Sequence, residues 1–566
     1  MKEQKQLDLV ILWHMHQPDF RNHASGEFVQ PWVYLHAIKD YSDMAAHLEA
    51  HSQVRVVLNF TPVLLDQLED YTEQFASGQL RDPLLRLLGH PDLGQIDQTA
   101  RDFILNACFK ANVEKLIEPY PAYKRLYEFF LLAQEYPDSG ASYLSAQYLS
   151  DLLCWYHIAW MGETVRRQDE IVPALITKAH GFTHAERMQL LAIVGREVSN
   201  VIPRYRKLFE QGQIELTTTP EYHPIGPLLL SFEAALEATP AATLPQNSHY
   251  PGGRERAQAQ VLAAKVSHAR RFGRPPRGMW PAEGAVSRAF ARLLADAGCE
   301  WMATGEGVLA QSLSSISAAL TERADYLYRP YHLTAAAAGN ITCFFRDDRL
   351  SDLIGFEYAK WNGDDAAAHF ISSLEAIAAK PQETARPVVS VILDGENAWE
   401  YYPYNGFYFL DELYAALERH PYIATRTFAQ LLDEKREGTP LPALVAGSWV
   451  FGNLATWIGS HDKNRAWDLL CEAKRSFDAV MASGKLSAAE AASATRQLAD
   501  CEASDWCWWF GDYNPAPSVI AFDQLYRSKL THLYTLLKLP VPGELDLPIS
   551  VGKIGSEATN AMRRAS

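Results

Sequence analysis

In LVILWHMHQPDF, His14 and His16 close an apolar run two residues apart, a spacing that sends both rings to one side of an extended strand. A buried strand more often stops at Gly, Asn or Asp; this one stops at two imidazoles, Gln17 and Pro18. Four other apolar runs also end in polar clusters. QIELTTTP carries Glu215 and leads into Glu221, Tyr222 and His223, and PRGMWPAEG presents Trp280 and Glu283. ITCFFRDD ends in Arg346, Asp347 and Asp348, and VVSVILDGENAW ends in Asp394, Glu396, Asn397 and Trp399. Two chemistries fit these residues. Two same-side histidines completed by Asp19, Asp347 or Asp394 would make a zinc site. Carboxyl groups among indole rings instead suit a sugar, whose glycosidic bond is cleaved between two carboxyl groups. Glu283 and Asp394 are candidates for that pair, with Asp347 as the other choice.

Taken singly, these residues have plainer explanations. An Asp after a strand is commonly a helix N-cap, which suits Asp348 and Asp352; Glu is a weak N-cap, so Glu283 fits that role poorly. Asp394-Gly395 reads equally as a turn, and a lone histidine at a strand end is usually a hydrogen-bonded structural residue. The five strand ends together carry the chemical reading.

The elements that would hold them are legible from periodicity. LDLVILW, VRVVLNF, QIELTTT, PRGMWPA, CEWMATG, ITCFFRD and RPVVSVIL read as buried strands, separated by helical stretches such as Arg254 to Arg271 and Ser287 to Ala297. Strands alternating with helices predict parallel βα units, hence a barrel or an open doubly wound sheet, with the strands' carboxyl ends sharing one face. Residues from about 110 to 206 read as a helical insertion. Beyond about Arg465 the pattern becomes that of amphipathic helices. The expected division is a catalytic domain over 1–420, a helical C-terminal domain over 421–547 that contributes to the site, and a flexible tail over 548–566.

A formal charge of −16 argues against a nucleic-acid or anionic-membrane surface, both of which require a basic field. Seven cysteines without a CxxC pair point to reduced core thiols rather than a thiolate zinc site. No stretch approaches the apolar length of a membrane span and no secretory leader is evident, so a cytoplasmic protein is expected.

Several of these stretches, in order along most of the chain, resemble the signature regions of glycoside hydrolase family 57. WHMHQP is similar to the first region and GQIELTTTPEYHPIGPLL to the second; MWPAEGAVS resembles the third, VILDGENAWEYYP the fourth in its amylopullulanase-like form, and EASDWCWWFGD the fifth. The resemblance implies a (β/α)7 barrel with a helical C-terminal region, and a retaining enzyme acting on α-glucan or maltodextrin without a cofactor or metal. It makes Glu283 the nucleophile and Asp394 the general acid/base. Among the substrate contacts it implies, His14, His16 and Glu215 hold sugar hydroxyls, Arg346 and Asp347 line the site, and Trp280, Trp399, Asp505, Trp506 and Trp508 complete it. Arg346 is expected to pair with a carboxylate other than Asp394, and burial together with the Glu283 charge is expected to raise the Asp394 pKa. Gly305 stands where related sequences often carry Asp, and Gly511 to Ser518 is less acidic than the comparable stretch, which bears on substrate preference. Three alternatives remain open: a 4-α-glucanotransferase on the same site, a metal-dependent carbohydrate hydrolase or deacetylase using His14 and His16, and a catalytically silent glucan-binding protein.

Overall fold

The structure is a computed structural model that describes residues 7–136, 140–316, 322–333, 341–380, 386–436 and 438–553. Ten strands occur in it: β1 (Leu7–Met15), β2 (Val56–Phe60), β3 (Ile214–Thr217), β4 (Gly278–Met279), β5 (Trp301–Thr304), β6 (Tyr331–Leu333), β7 (Ile341–Phe345), β8 (Val388–Asp394), β9 (Ile423–Thr425) and β10 (Thr439–Leu441). β3, β2, β1 and β8 pair in parallel in that order, as do β4, β5 and β7. Two parallel bridges, Thr218 with Met279 and Arg346 with Ser390, join these groups at both edges. Seven parallel strands therefore close into a ring in the order β1, β2, β3, β4, β5, β7, β8, the (β/α)7 barrel with a helical C-terminal region. β6 and β10 extend one edge outside the ring, β6 antiparallel to β7.

The strict alternation of side chains along a strand explains the barrel's interior. On β1, Leu7, Leu9, Ile11, Trp13 and Met15 pack outward against the helices, while Val10 and Leu12 point inward. The next inward position on β1 is His14. On β8, Val388 and Ile392 face inward and Val389, Val391 and Leu393 outward, so the next inward position is Asp394. On β2 the inward Val57 is followed by Asn59. His14 is in register with both Asn59 and Asp394, so one apolar pattern delivers three polar groups to a single layer at the carboxyl end of the barrel.

Below that layer the interior is plugged. The ring of Phe428, from the helix Phe428–Asp433, stacks on Phe344 at 4.3 Å and lies tilted against Trp301 at 4.6 Å. β9 pairs with the start of β1. Ile423–Thr425 and Phe428–Asp433 thus serve the start of β1 and the barrel floor, whereas the sequence pattern groups them with the C-terminal helices. Those helices begin at His461 and run to Leu536. The insertion is also longer than its pattern predicts, since among the described residues between β2 and β3 helices recur from Pro62 to Glu210 with no strand. Of the expected tail, Ile549 and Ser550 donate backbone N–H groups to Asp523 and Lys553 bridges to Pro515; residues 554–566 lie outside the described residues. All seven cysteines are buried and none forms a disulfide. No helix among the described residues is long and apolar enough to cross a membrane.

A Cβ on Gly278, at the inward face of β4, would enter the Trp301 ring. Trp301 is wedged between Phe428 and Glu215, so it has no room to yield. Gly278→Ala is expected to destabilise the protein by at least about 2 kcal/mol through overpacking, read as a lower midpoint in chemical denaturation. Gly355→Ala, where a Cβ meets nothing within 4 Å, should leave stability unchanged or slightly raised.

Candidate active site

The layer that begins with His14 continues upward into a mouth built by five strand ends and by the C-terminal helices. Glu283 lies in the turn after β4, in a short helical turn Ala282–Gly284, with a left-handed backbone at φ 57° and ψ 24°. A non-glycine residue takes this conformation only when its surroundings impose it. Here the imposition comes from residues 447–449. Val286 and Gly447 exchange backbone hydrogen bonds, and Trp449 N–H donates to the Glu283 carbonyl at 3.1 Å. The same segment brings the Trp449 indole N–H to Glu283 Oε2 at 3.0 Å. The approach requires Gly305, because a Cβ there would lie 2.7 Å from Trp449 Cα. The residue that departs from the family pattern thus opens room for an indole against Glu283.

Asp394 reaches the mouth from the end of β8, and its Oδ2 accepts from Asn397 Nδ2 at 2.8 Å. Burial pushes the Asp394 carboxyl upward, opposed by the Asn397 bond and by the charges of His16 and Arg346. Glu283 rises to about 8, first through burial, then through the Asp394 charge, with the Trp449 bond acting the other way. In this desolvated space the Asp394 charge disfavours ionisation of Glu283, so the two carboxyls are not ionised independently. The expected rise of Asp394 comes from burial and not from the Glu283 charge, and Glu283 is raised as well, by burial and by the Asp394 charge.

Arg346 is buried and turned to other carboxylates, as its sequence context implied. It binds Asp348 at 2.7 Å, Asp352 at 2.9 Å and the Ile392 carbonyl at 2.7 Å, with its guanidinium carbon 5.6 Å from the Trp449 ring centroid. It supports the indole that holds Glu283.

The histidines form a wall on the other side. His14 Nδ1 bonds Asn59 Oδ1 at 2.7 Å and its Nε2 bonds His223 Nε2 at 3.2 Å, while His223 Nδ1 meets Ser504 Oγ at 2.8 Å. One proton arrangement satisfies the chain: Ser504 donates to His223, His223 Nε2–H to His14, and His14 Nδ1–H to Asn59. It requires both rings to be neutral, and burial drives both in that direction, His14 to about 3 and His223 far below its ordinary value. The His16 ring stacks on that of His223 at 3.8 Å, and its Nε2 meets Asp505 Oδ1 at 2.8 Å. His223 has a left-handed φ of 59°, and its carbonyl accepts from Ser504 N–H. Its Nδ1 lies 4.0 Å from Glu283 Oε1. Glu396 Oε1 gathers His16 N–H, Gln17 Nε2 and Tyr41 OH at 3.0 to 3.3 Å, and burial raises this carboxyl well above its ordinary value. Atoms of His16, His223 and Asp505 lie within 4.8 Å of one another, but both nitrogens of His223 are bonded, to His14 and Ser504, and both of His16, to Thr61 and Asp505, so the trio has no free imidazole nitrogen for a cation. The set proposed from sequence, His14 with His16, does not fit a metal, since both nitrogens of His14 are bonded to Asn59 and His223.

Several residues expected at the substrate are placed elsewhere. Glu215 sits one inward layer below Asn59, level with Val57, where it accepts from Trp301 Nε1 at 2.8 Å and from Ala429 N–H at 2.9 Å at the start of the floor helix. Asp347 caps the helix Asp348–Asp352 and binds Arg323 at 2.7 Å and Tyr328 at 3.1 Å, facing away from Asp394. Trp399 is buried, donates to the Gly395 carbonyl at 2.7 Å and packs edge-on against Trp13. Trp506 is buried among Trp467, Phe510 and Tyr526, and Trp508 packs on Trp457. Trp280 is fully buried beneath Trp449 and beside His14, so it backs the site without offering a face to a sugar. The structure brings together Glu283, Asp394, His14, His16 and Asp505, and adds Asn59, His223, Trp449 and Ser504. Asn59 had a signal, a lone polar residue at an inward position of VVLNF; Trp449 had none, because its loop carries no periodicity.

A family model described as glycosyl hydrolase family 57 matches residues 10–440. No curated protein is significantly similar in sequence. Among solved structures, a family 57 branching enzyme from Pyrococcus horikoshii aligns with a TM-score of 0.56 at 16% identity, over 99% of this chain and 100% of its own. A branching enzyme of the same family from Thermococcus kodakaraensis gives 0.55 at 15%, over 94% and 89%. An α-amylase from Thermotoga maritima gives 0.55 at 13%, over 94% and 93%. At these identities the likeness is one of fold.

Two outcomes follow from the geometry. Trp449→Phe removes the N–H that steadies the ionised Glu283, a bond to a charged group of about 1.5–3 kcal/mol, so the Glu283 pKa should rise by about 1–2 units. Asp394→Asn removes the repelling charge and should lower it. The acidic limb of single-turnover attack on an α-maltosyl fluoride, which needs no acid assistance, reports both shifts; movement of the two variants in one direction would refute this account. Separately, Glu215→Ala leaves the buried Trp301 N–H and a helix N-terminus without an acceptor, a penalty of about 1–3 kcal/mol. Its melting temperature should fall while the kcat of the folded fraction stays within about threefold. A loss of kcat with unchanged melting would return Glu215 to the substrate.

Proposed function

The chain belongs to glycosyl hydrolase family 57, and from that premise we propose that it is a retaining α-glucan-active hydrolase of the α-amylase or amylopullulanase type. The observation that carries the proposal is the placing of two half-buried carboxyl groups, Glu283 and Asp394, at one barrel mouth, both pushed up by desolvation, with the Asp394 charge raising Glu283 further. Retaining glycoside cleavage requires one ionised and one protonated carboxyl. In the productive microstate Glu283 is ionised, with its charge met by the Trp449 N–H, and Asp394 carries the proton.

Glu283 attacks the anomeric carbon, while Asp394 passes its proton to the glycosidic oxygen and the leaving chain departs with it. The bond to Glu283 is then an ester. Asp394, now a carboxylate, takes a proton from water as the water oxygen attacks the same carbon, which frees Glu283 and restores the starting protonation. His16, held between Asp505 and Thr61 and stacked on His223, fixes the Asp505 carboxylate at the mouth for sugar hydroxyls, while the neutral His14–His223 chain adds no positive charge beside the pair. The 4-α-glucanotransferase reading uses the same first half. It is favoured by the enclosure of Glu283 under the Trp449 indole, since a glycosyl-enzyme shielded from bulk water persists until a sugar acceptor arrives.

Products of purified protein on maltoheptaose, amylose and pullulan test the proposal. Wild type should shorten or redistribute these chains, with EDTA having no effect. Glu283→Gln and Asp394→Asn should each lower kcat at least about 10²–10⁴-fold. Added azide should give a β-glycosyl azide with Glu283→Gly and an α-glycosyl azide with Asp394→Gly, each formed from an activated α-glycosyl fluoride. Activity abolished by EDTA, or retained in the carboxyl variants, would overturn the proposal.

A further inference from the structure

Outside the catalytic mouth, the segments that follow β7 and β8 enclose a second cleft of about 360 Å³, lined by Tyr358, Trp361, Asn362, Asp364, Tyr404 and Tyr408 among others. Its volume falls near the lower end of the range for small-ligand sites, about 300–1,000 Å³. Three large rings at this cleft remain open to solvent, Trp361 at 41%, Tyr404 at 58% and Tyr408 at 46% exposure. Such rings normally pack inward, so a cluster of them around a concavity marks a binding surface.

The rings are held rather than loose. Trp361 is braced by Tyr358 at 5.4 Å and by His369 at 5.1 Å, and Tyr358 OH bonds His369 Nδ1 at 2.8 Å. Tyr408 is fixed by Arg167, which donates to its hydroxyl at 2.9 Å and places a guanidinium carbon 5.2 Å from the ring centre. Tyr404 stands edge to face with Tyr408 at 5.5 Å. Tyr404 and Asn405 both take left-handed backbone, at φ 52° and 55°. The fold imposes that conformation through the buried Asn405 side chain, which accepts from Lys39 at 3.1 Å and donates to Asp43 at 2.8 Å. A strained turn bolted from below therefore thrusts an aromatic ring outward, an arrangement with no use in packing.

We propose that this cleft is a second carbohydrate site, which anchors a glucan chain away from the catalytic carboxyls; the proposal rests on the α-glucan reading above. A pyranose offers a C–H face to an aromatic ring and hydroxyls at its edge, and the lining supplies both complements, with Asn362 and Asp364 beside the rings. Among the described residues no lysine or arginine is in the lining itself, and Arg167 behind Tyr408 is committed to that hydroxyl and to Glu163, which disfavours a phosphate or other anion. Both segments continue from the strand ends that carry Arg346 and Asp394, and Tyr402 in the cleft lining packs on the buried Trp399, five residues beyond Asp394. A polysaccharide held there would be presented to the site, whereas a short oligosaccharide confined to the mouth would gain nothing.

Native electrophoresis through gels with and without glycogen tests this in the Glu283→Gln background, where the polymer is not consumed. The single variants Trp361→Ala and Tyr404→Ala change exposed rings, and each should weaken apparent affinity for glycogen by about 2- to 10-fold, one aromatic platform's worth. In the active background the same variants should raise KM on glycogen while leaving kcat/KM on maltotetraose within about twofold. Retardation unchanged by either variant would overturn the second site and leave the enzymatic reading intact, as would wild type that turns over maltotetraose without being retarded. Loss of maltotetraose turnover in both variants would show that the cleft is part of the catalytic mouth. Wild type that neither binds glycogen nor turns over maltotetraose would remove the α-glucan reading and this inference with it.

Discussion

Taking Glu283 and Asp394 out of water beside each other raises the energy of any state in which both are ionised, and the surrounding structure follows from managing that charge. Each carboxyl has one neutral donor, the Trp449 indole for Glu283 and the Asn397 amide for Asp394. A full cation in contact with either would fix it as an anion. Arg346 is kept from doing so by Asp348, Asp352 and a backbone carbonyl, close enough to draw negative charge toward Asp394 but not to bond it. His14 and His223 are buried as neutral rings for the same reason, each nitrogen assigned to a partner in a chain that ends on Asn59 and Ser504.

That chain also explains why the C-terminal helices belong to the site. Ser504 and Asp505 start the short helix Asp505–Trp509, and through them the bundle orients His223 and His16. Their removal would leave buried imidazole nitrogens without partners at the wall of the mouth, a heavier penalty than the loss of a surface contact. The left-handed residues follow the same logic. Glu283 is tied down by Trp449 N–H and His223 by Ser504 N–H, so each strained residue of the mouth is fixed from a segment far along the chain.

The aromatic residues divide into those that fill and those that face outward. Trp280, Trp301 and Trp399 are fully buried and shape the barrel and its rim. Trp449 is the indole that touches a reacting group, and it comes from a loop between the barrel floor and the C-terminal helices. Its closeness depends on a hydrogen in place of a side chain at residue 305, which exchanges a possible carboxylate for an indole wall.

Alternation along β1, β2 and β8 was legible before any coordinates, and so were the strand-end positions of His14, Asp394 and Glu283, because a period of two and a run of apolar residues are local properties. The family signatures carried the barrel class for the same reason: each of the first four motifs is one strand and its exit turn. Ring closure was not legible, since it rests on single bridges at Thr218 and Arg346 and on a two-residue β4. Nor was the height of each residue in the barrel. Glu215 has the correct parity to face inward, yet the stagger between strands sets it one layer too low to meet the mouth, and Asp347, one position past an inward arginine, turns outward to Arg323. Exposure of the tryptophans was equally hidden, because an indole at a strand end or in a helix reads the same whether it meets a sugar or another ring. Sequence by itself determined which residues can do chemistry and on which side of each strand they lie. Stagger, ring closure and the long-range contacts of Trp449, Ser504 and Asp505 are relations between distant segments, and only the tertiary structure decided them.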